Sequence, residues 1–369
     1  MGVAERQEKL RSRLASEDVD ALLVSNLTNV RYLTGFAGSN GYVFITQDAT
    51  HFYSDGRYAT QASQMVKEAE IHIAPTHAAV VDDLNALTKS QKLGRVAYEG
   101  THVTVSSRGA AWEPPPGLDK VMTYFEDAEL VPAQGWVEEL RKIKDAEEIA
   151  SIRAAAQLGD EGFAFILDRV KPGVREIDLA LELEFFLRSK GSEGVSFDPI
   201  VAAADRSALP HARPTNRTVE IGHYLLFDFG CVVDGYCSDM TRTVVVGPVD
   251  DRHRQVYETV LESQMAGLEA AGPGVSCGDV DQVSRRVIEK AGYPKAFMHG
   301  LGHGVGLDIH EAPSLKTGFA EQLMPGHVIT IEPGAYFEGW GGVRVEDLAV
   351  VTEDGLEVLS KAPKDLIVL

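Results

Sequence analysis

The first third of the chain alternates between helix-like and strand-like patterns of hydrophobic residues. A charged amphipathic stretch at about residues 4–17 predicts a helix, and the apolar run DALLVS that follows is long enough for a buried strand. RYATQASQMVKEAE, which follows Asp55 and Gly56, predicts another helix, and the Pro-rich AAWEPPPGLDK indicates a surface turn. Further strands are predicted at GYVFIT, HFYS and RVAYEG. This alternation predicts a small α/β domain of about 130 residues.

Beyond Trp136 the pattern changes to longer helices that alternate with antiparallel strands. The first predicted helix, at 136–170, has apolar residues three and four positions apart and ends at 171–173. The other predicted elements are helices at 175–190, about 250–271 and 278–291, and strands at about 196–203, 224–246, 327–332 and 342–352. Pairs of helices followed by strands occur twice, which predicts an α+β domain with two similar halves. We place the domain boundary between residues 132 and 133.

Length and composition favour two domains and exclude some partners. A chain of 369 residues is too long for one ordinary hydrophobic core. Its formal charge of −20 argues against nucleic acid and anionic membranes, because both require a basic surface. The charged N-terminus lacks the apolar segment of a secretory signal, and no run approaches the ~18 apolar residues of a membrane span. We therefore expect a cytoplasmic location.

Five residues in the second half of the chain form a candidate set of metal ligands: Asp228, Asp239, His303, Glu332 and Glu346. Four carboxylates and one imidazole suit Mn, Zn, Co or Fe rather than a metal that prefers thiolates. Two such ions about 3.5–4 Å apart can hold a bridging hydroxide and split an amide. The residue types therefore predict a hydrolase with two metal ions.

A predicted hairpin brings the two aspartates together. Asp234 and Gly235 lie between apolar stretches in FDFGCVVDGYCSDMT, which is a strong signal for a two-residue turn. The turn implies two cross-strand pairs, Val233 with Tyr236 and Gly230 with Asp239. Asp228 then lies diagonally from Asp239 on the same face, and Gly230 leaves room for ions between them. Solvated acids on an exposed hairpin are the simpler alternative, but the adjoining residues are mostly apolar.

The other three candidates lie in two apolar strands and one glycine-rich segment. Alternation in HVITIEPG and GVRVED directs Glu332 and Glu346 to the face opposite the valines and isoleucines. HGLGHGVGLDIHE has four glycines from His299 to Gly306, which argues against a helix and allows close backbone approach. One of its three histidines suffices as a metal ligand, which leaves the others for supporting or acid–base roles.

Taken together, these segments closely resemble the proline-specific branch of the pita-bread metallopeptidases, namely prolidase and aminopeptidase P. NVRYLTGFAGSNG and DGRY are similar to the N-terminal domain of that family, and LRKIKDAEEIASIRAA to its interdomain helix. DFG, SDMTRT, HGLGHGVGLDIHE, TIEPG and GVRVED match its metal-site motifs in order. The resemblance implies an α/β creatinase/prolidase-type N-terminal domain at 1–132 and an α+β pita-bread catalytic domain at 133–369.

The resemblance also implies a role for each matching residue. Asp228 would bind one metal ion and His303 the other, while Asp239 and Glu346 would bridge or chelate both. Glu332 would be both a ligand and the general base or acid. Further matching positions are His211 and His310 as catalytic-site histidines, and His299, Tyr336 and Arg344 as supporting residues. The implied metal is Mn²⁺, with Co²⁺, Zn²⁺ or Fe²⁺ as alternatives, and the implied partners are short proline-containing peptides and a second subunit in a homodimer or a tetramer.

One position departs from the resemblance and affects the expected substrate. Many prolidases that cut dipeptides carry an arginine shortly after the His-Glu pair, where it binds the substrate carboxylate. Here the segment HEAPS has Ser314 at that position. The missing charge-assisted contact is worth about 1.5–3 kcal/mol. We therefore favour an Xaa-Pro aminopeptidase and keep the Xaa-Pro dipeptidase as the alternative.

Relatives of other kinds fit the sequence less well. Methionine aminopeptidase shares the catalytic fold but usually lacks the additional N-terminal domain, and its motifs differ around His303. Creatinase-like enzymes and non-catalytic peptide- or protein-binding relatives generally lack part of the ligand set. All five ligand positions are filled in this chain. The sequence therefore favours an enzyme over a binding module.

Overall fold

The computed structural model describes residues 1–99, 125 and 127–369, so the predicted turn AAWEPPPGLDK lies outside the described residues. The chain divides into two compact units, Met1–Arg141 and Lys142–Leu369. The helix Trp136–Arg141 belongs to the first unit, where the buried Arg141 donates a hydrogen bond to Asn29 Oδ1 at 2.8 Å. The domain boundary between 132 and 133 stays a prediction. No helix among the described residues is long and apolar enough to cross a membrane.

The first unit is built on a mixed sheet of six strands. The strands are Ala21–Val24 (β1), Tyr42–Thr46 (β2), Thr50–Asp55 (β3), Glu70–Ala74 (β4), Arg95–Glu99 (β5) and Glu129–Ala133 (β6). They lie in the order β4-β3-β2-β1-β5-β6, with β1–β2 and β2–β3 antiparallel and the other pairs parallel. The helices described in this unit are Val3–Ser16 (α1), Leu27–Thr34 (α2), Ala59–Met65 (α3), His77–Gln91 (α4) and Trp136–Arg141 (α5). The predicted α/β class of this region is confirmed.

The helix predicted at RYATQASQMVKEAE is too long. A short 3₁₀ turn at Gly56–Tyr58 leads into α3, which ends at Met65, and Glu70 already begins the strand β4. The chain leaves the helix because Val66 has extended backbone, with ψ of 125°. Beyond that point Ile71 and Ile73 alternate with polar residues, a period of two that belongs to a strand. The prediction missed this change of period.

The second unit contains two pairs of helices, each followed by strands. The helices are Ala146–Leu167 (α6), Glu176–Ser189 (α7), Asp251–Ala270 (α8) and Cys277–Lys290 (α9). The strands after α7 are Gly194–Val195 (β7), Ile200–Ala203 (β8), His223–Phe229 (β9), Cys231–Val233 (β10), Tyr236–Cys237 (β11) and Met240–Val246 (β12), with a 3₁₀ turn at Ala204–Ala208. Those after α9 are Gly302–Gly304 (β13), Glu311–Leu315 (β14), Val328–Ile331 (β15), Gly334–Phe337 (β16), Gly341–Arg344 (β17), Asp347–Thr352 (β18) and Gly355–Val358 (β19). The predicted α+β arrangement in two halves is therefore present.

The two halves of the second unit meet along β12. The sheet β12-β9-β8 belongs to the first half, and the sheet β14-β13-β15-β18-β19 to the second. The Glu346 N–H donates to the Thr241 carbonyl at 3.1 Å, and the Arg344 N–H donates to Thr243 Oγ1 at 3.2 Å. A separate apolar core fills each half, one around Phe227 and the other around Val345. The polar residues between these two cores form the candidate site.

The single helix predicted at 136–170 is two helices, α5 and α6, separated at 142–145. Asp145 begins α6 as its N-cap, and its side chain accepts hydrogen bonds from the backbone N–H groups of Glu147 and Glu148. The Glu148 side chain in turn accepts a hydrogen bond from the Asp145 N–H at 2.8 Å. This reciprocal capping box satisfies N–H groups that a new helix leaves unpaired. The prediction followed the apolar period across the break and missed the cap.

The Asp145→Ala variant should destabilise the second unit by about 0.5–2 kcal/mol, because alanine cannot cap α6. Urea denaturation followed by circular dichroism measures this difference in unfolding free energy. The partly exposed Ser151→Ala on the same helix is the control, and its effect should stay within about 0.5 kcal/mol. Equal stability of the two variants would contradict the capping role of Asp145.

Candidate metal centre

The predicted hairpin turn is present between β10 and β11. Asp234 and Gly235 have positive φ angles of 50° and 85°, as a type I′ turn requires. Val233 pairs with Tyr236 across the turn, as predicted. The turn residues therefore set the register of the strands on both sides.

This register brings Asp228 and Asp239 to one face of the hairpin. Thr241 pairs directly with Asp228, so Asp239, two residues earlier, is the diagonal neighbour of Asp228. A Cβ atom at Gly230 would lie only 1.8 Å from the Ser238 carbonyl oxygen. Glycine is thus required at 230 by close backbone approach, and the prediction that it also leaves room between the two aspartates stays a prediction.

Three further predicted ligands converge on Asp239 from the second half of the unit. His303 lies on β13, Glu332 directly follows β15, and Glu346 lies between β17 and β18. His303 Nε2 is 3.5 Å from Asp239 Oδ2 and 3.5 Å from Glu332 Oε1. One ligand atom from each of Asp239, His303 and Glu346 lies within 4.8 Å of the other two. The structure thus brings these side chains to distances that one or two cations can span.

The His303 ring is held in a state that can bind a metal ion. Its Nδ1 donates to the Gly304 carbonyl at 3.0 Å, so in the neutral ring Nε2 carries no proton and faces the carboxylates. Burial lowers the pKa of His303 to about 4, which keeps the ring neutral at pH 7. The Thr330 hydroxyl accepts from the His303 N–H at 3.1 Å and donates to Glu332 at 3.3 Å.

The carboxylates of the site repel one another in a buried environment. Burial and the neighbouring Glu346 raise the pKa values of Asp239 and Glu332 well above their usual range. Burial and Asp228 raise the pKa of Glu346 to about 8, and burial also raises the pKa of Asp228. Among the described residues, the buried Asp228 Oδ1 has no hydrogen-bond partner. Such a cluster requires protons or cations for stability, so its chemistry fits divalent metal ions.

A buried arginine orients the carboxylates from the side. Arg344 donates hydrogen bonds to Asp228 Oδ2, to Thr241 Oγ1 at 2.9 Å and to the Tyr336 hydroxyl at 2.9 Å. The Thr241 hydroxyl donates to Glu346 Oε2 at 2.6 Å. Asp228 and Glu346 are therefore fixed by one connected network of hydrogen bonds.

His299 extends this network to the wall of the site. Its Nδ1 donates to the Gly300 carbonyl at 2.8 Å, so its Nε2 accepts from the Tyr336 hydroxyl at 2.9 Å. Burial lowers the pKa of His299 to about 4, which maintains this neutral tautomer. Arg344 thus contacts Tyr336 and Tyr336 contacts His299, so the three predicted supporting residues form one chain of hydrogen bonds.

The two remaining predicted histidines are exposed at the mouth of the site. The His310 ring lies 4.4 Å from the His303 ring, centroid to centroid, and burial lowers the pKa of His310. His211 lines the same pocket, which has a volume of about 440 Å³, a size typical of small-ligand sites. Other lining residues supply an apolar wall and two cations, namely Phe197, Ile200 and Ile309 for the wall and Arg213 and Lys316 as cations.

Sequence reasoning did not identify Thr241 and Thr330 as part of the site. Thr241 hydrogen-bonds to Glu346 and Arg344, and Thr330 to His303 and Glu332. Each threonine lies two residues from a predicted ligand on a strand and therefore on the same face. The alternation that selected the ligands could have selected the threonines as well.

Comparison with known proteins identifies the family. Residues 150–353 match the metallopeptidase family M24, and residues 6–143 match the creatinase/prolidase N-terminal domain. The chain belongs to metallopeptidase family M24. Among the relatives of this M24 chain, the uncharacterized peptidase YqhT of Bacillus subtilis is 40% identical over 98% of this chain and 99% of that protein.

Solved structures agree with the M24 fold over the full chain. An Xaa-Pro dipeptidase from Bacillus anthracis is 38% identical with a TM-score of 0.92 and 100% coverage of both chains. An X-Pro aminopeptidase from Thermotoga maritima is 32% identical with a TM-score of 0.87, covering 98% of this chain and 99% of that chain. The predicted resemblance and pita-bread fold class are confirmed. Membership of M24, a metallopeptidase family, implies divalent metal ions in this chain.

Proposed function

We propose that this M24 chain is an Xaa-Pro aminopeptidase that uses two divalent metal ions. The observation that carries the proposal is the cluster of buried carboxylates around the unprotonated His303 Nε2. The names of two similar structures, an Xaa-Pro dipeptidase and an X-Pro aminopeptidase, support specificity for the bond before proline. A peptide with a free N-terminus and proline as its second residue is therefore the proposed substrate.

We assign the five ligand positions as the resemblance implies. Asp228 would bind one ion and His303 the other, Asp239 and Glu346 would bridge or chelate both, and Glu332 would be a further ligand. Oxygen-rich ligands with one imidazole favour Mn²⁺ here, with Co²⁺, Zn²⁺ or Fe²⁺ as alternatives. Bound ions would polarise the scissile carbonyl as Lewis acids and lower the pKa of a water molecule.

Proton transfer is assigned to Glu332. Its carboxylate accepts the proton of the attacking water and returns it to the proline nitrogen as the amide bond breaks. The proline nitrogen has no N–H before cleavage, so this returned proton makes the leaving group a neutral secondary amine. The Thr330 hydroxyl, 3.3 Å from Glu332 Oε1, orients the carboxylate for this exchange.

The histidines at the mouth of the site are assigned to substrate contacts. His310 and His211 line the pocket and would donate hydrogen bonds to the oxygen that gains charge as the carbonyl is attacked. Phe197, Ile200 and Ile309 offer an apolar wall against which a proline ring can lie. Together these contacts would hold the peptide while Glu332 moves the proton.

The identity of residue 314 is expected to influence substrate length. Ser314 lines the pocket and offers no positive charge for the carboxylate of a dipeptide. We expect the Mn²⁺-loaded protein to cleave Leu-Pro-Pro at its first bond faster than it cleaves Leu-Pro. The Ser314→Arg variant should raise kcat/KM for Leu-Pro by about 10- to 100-fold, because a charge-assisted hydrogen bond is worth about 1.5–3 kcal/mol.

Mass spectrometry of the products identifies the cleaved bond, and Ser314→Gln is the control because its side chain is long but uncharged. No gain on Leu-Pro in the arginine variant would contradict the role of position 314. If the protein supplied with Mn²⁺ binds no metal and cleaves neither peptide, the non-catalytic alternative replaces the enzyme.

A strict Xaa-Pro dipeptidase is the second candidate, and two cations favour it. Arg213 and Lys316 line the pocket, and within the described part of the chain neither forms an ion pair. Either could bind the carboxylate of a dipeptide in place of an arginine at 314. Cleavage of Leu-Pro alone, lost in Arg213→Met or Lys316→Met, would decide for this candidate.

We also propose a homodimer, with a tetramer as the alternative, and a cytoplasmic location. The proposed assembly is what the sequence resemblance implies. The proposed location is the one expected from the charge and hydropathy of the sequence. Light scattering coupled to gel filtration measures the assembly directly, and a mass equal to one chain of 40.0 kDa would contradict the dimer.

A further inference from the structure

A second cluster of metal-ligating side chains lies in the first unit, on β3 and β4. The two strands run parallel, with His51 opposite Glu70 and Tyr53 opposite His72. Paired residues, and residues two positions apart on one strand, share a face of the sheet. The side chains of His51, Glu70 and His72 therefore project from the same face, at the edge strand β4.

The ligand atoms of this cluster are spaced for a metal ion. His51 Nδ1 is 3.1 Å from His72 Nε2 and 3.4 Å from Glu70 Oε2, and His72 Nε2 is 4.0 Å from Glu70 Oε2. Ligand atoms about 2.1 Å from a tetrahedral ion lie about 3.4 Å from one another. Two of the three distances are already close to this value, and the third needs only a small movement of the exposed Glu70 side chain.

The three ligand atoms face one another around His51 Nδ1, which lies within 3.4 Å of both His72 Nε2 and Glu70 Oε2. Among the described residues His51 Nε2 has no hydrogen-bond partner, so the polar contacts of this ring are all made by Nδ1 inside the cluster. A divalent cation can contact all three atoms at once.

The surroundings hold the ring of His72 in place and leave the site open. Tyr53 stacks on His72 with ring centroids 4.6 Å apart and an interplanar angle of 16°. The His72 and Glu70 side chains are 32% and 68% exposed, so an ion can enter from solvent. Neutral imidazoles with one carboxylate suit Zn²⁺, Co²⁺, Ni²⁺ or Cu²⁺ better than Mg²⁺ or Ca²⁺.

We propose that His51, Glu70 and His72 bind one divalent transition-metal ion that links the edge strand β4 to β3. Three protein ligands leave a fourth position for water. The site is separate from the M24 centre, whose ligands all lie in the second unit. Because an ion bound only by the folded state stabilises that state, Zn²⁺ should stabilise the first unit.

Metal content of the full-length protein tests this proposal without reference to peptidase activity. Protein is loaded with Zn²⁺, passed through gel filtration and analysed by inductively coupled plasma mass spectrometry. His72→Phe keeps a ring to stack on Tyr53 but removes both nitrogens, and Glu70→Gln removes the carboxylate. Each variant should retain one Zn²⁺ fewer per chain than the wild type. The nearby exposed Glu68→Gln is the matched control and should retain the wild-type amount.

Circular dichroism establishes that each variant is folded, and Glu70→Gln decides the test if His72→Phe is not. Equal Zn²⁺ content in the wild type and Glu70→Gln would overturn the site. An equal loss in Glu68→Gln would also overturn it, because the ion would then be held by general surface charge. Peptidase activity should be unchanged in Glu70→Gln, which separates this result from any failure of the proposed function.

Discussion

Glu332→Gln should lower kcat for Leu-Pro-Pro by about 10²- to 10⁴-fold, the range typical of a lost general base or acid. The same change should raise the melting temperature of the metal-free protein. Burial and Glu346 raise the pKa of Glu332 well above its usual range, so a neutral amide removes repulsion within the cluster. Steady-state kinetics with Mn²⁺ and thermal melting after chelation measure the two effects.

Opposite signs for activity and stability distinguish a functional carboxylate from a structural one. Glu338→Gln is the matched control, because Glu338 is exposed on the segment that follows β16. Neither its kcat nor its melting temperature should change appreciably. Wild-type kcat in metal-loaded Glu332→Gln would contradict the proposed proton transfer.

The metal-free protein should lose stability as the pH rises from about 5 to about 9. The pKa of Glu346 is raised from 4.5 to about 8 in the folded protein by burial and by Asp228. A group whose pKa is higher when folded contributes stability that is complete below its unfolded pKa and is lost as pH rises through its folded pKa. For Glu346 alone this loss is on the order of 5 kcal/mol. Asp239 and Glu332 shift in the same direction and add to it.

Melting temperatures across this pH range, with and without Mn²⁺, measure the effect. Divalent cations neutralise the same carboxylates, so the difference between metal-loaded and metal-free protein should widen as the pH rises. Glu346→Gln removes one contributor and should flatten the metal-free curve. A melting temperature of metal-free wild type that is independent of pH would show that the carboxylates are not destabilising.

The hairpin and the alternating strands could be predicted because their signals are local. Asp234 and Gly235 can adopt the positive φ angles of a tight turn, and this fixes the register around Asp228 and Asp239 without other information. The direction of Glu332 follows from a period of two beside buried isoleucines. The candidate ligands therefore followed from short stretches of sequence, whereas the 3.5 Å contacts of His303 required the folded chain.

Two other features, the helix cap at Asp145 and the cluster at His51, were not predicted from the sequence. The apolar period continues through Ile143 and Ile149, so the cap at Asp145 was hidden within an apparently continuous helix. The cluster at His51 was hidden for a different reason. Glu70 was assigned to the end of a helix, and only its true place at the start of β4 sets it opposite His51. One wrong element thus concealed a tertiary arrangement.

The two-residue turn at Asp234 and Gly235 constrains how this protein can evolve. Substitutions that tolerate positive φ leave the strands in register and preserve the facing of Asp228 and Asp239. An insertion or deletion of one residue would instead shift the register of the two strands by one residue. Because side chains alternate between faces, one of the two aspartates would then project from the opposite face. Lineages that retain the chemistry should therefore accept in this turn only residues that tolerate positive φ, and should hardly vary its length.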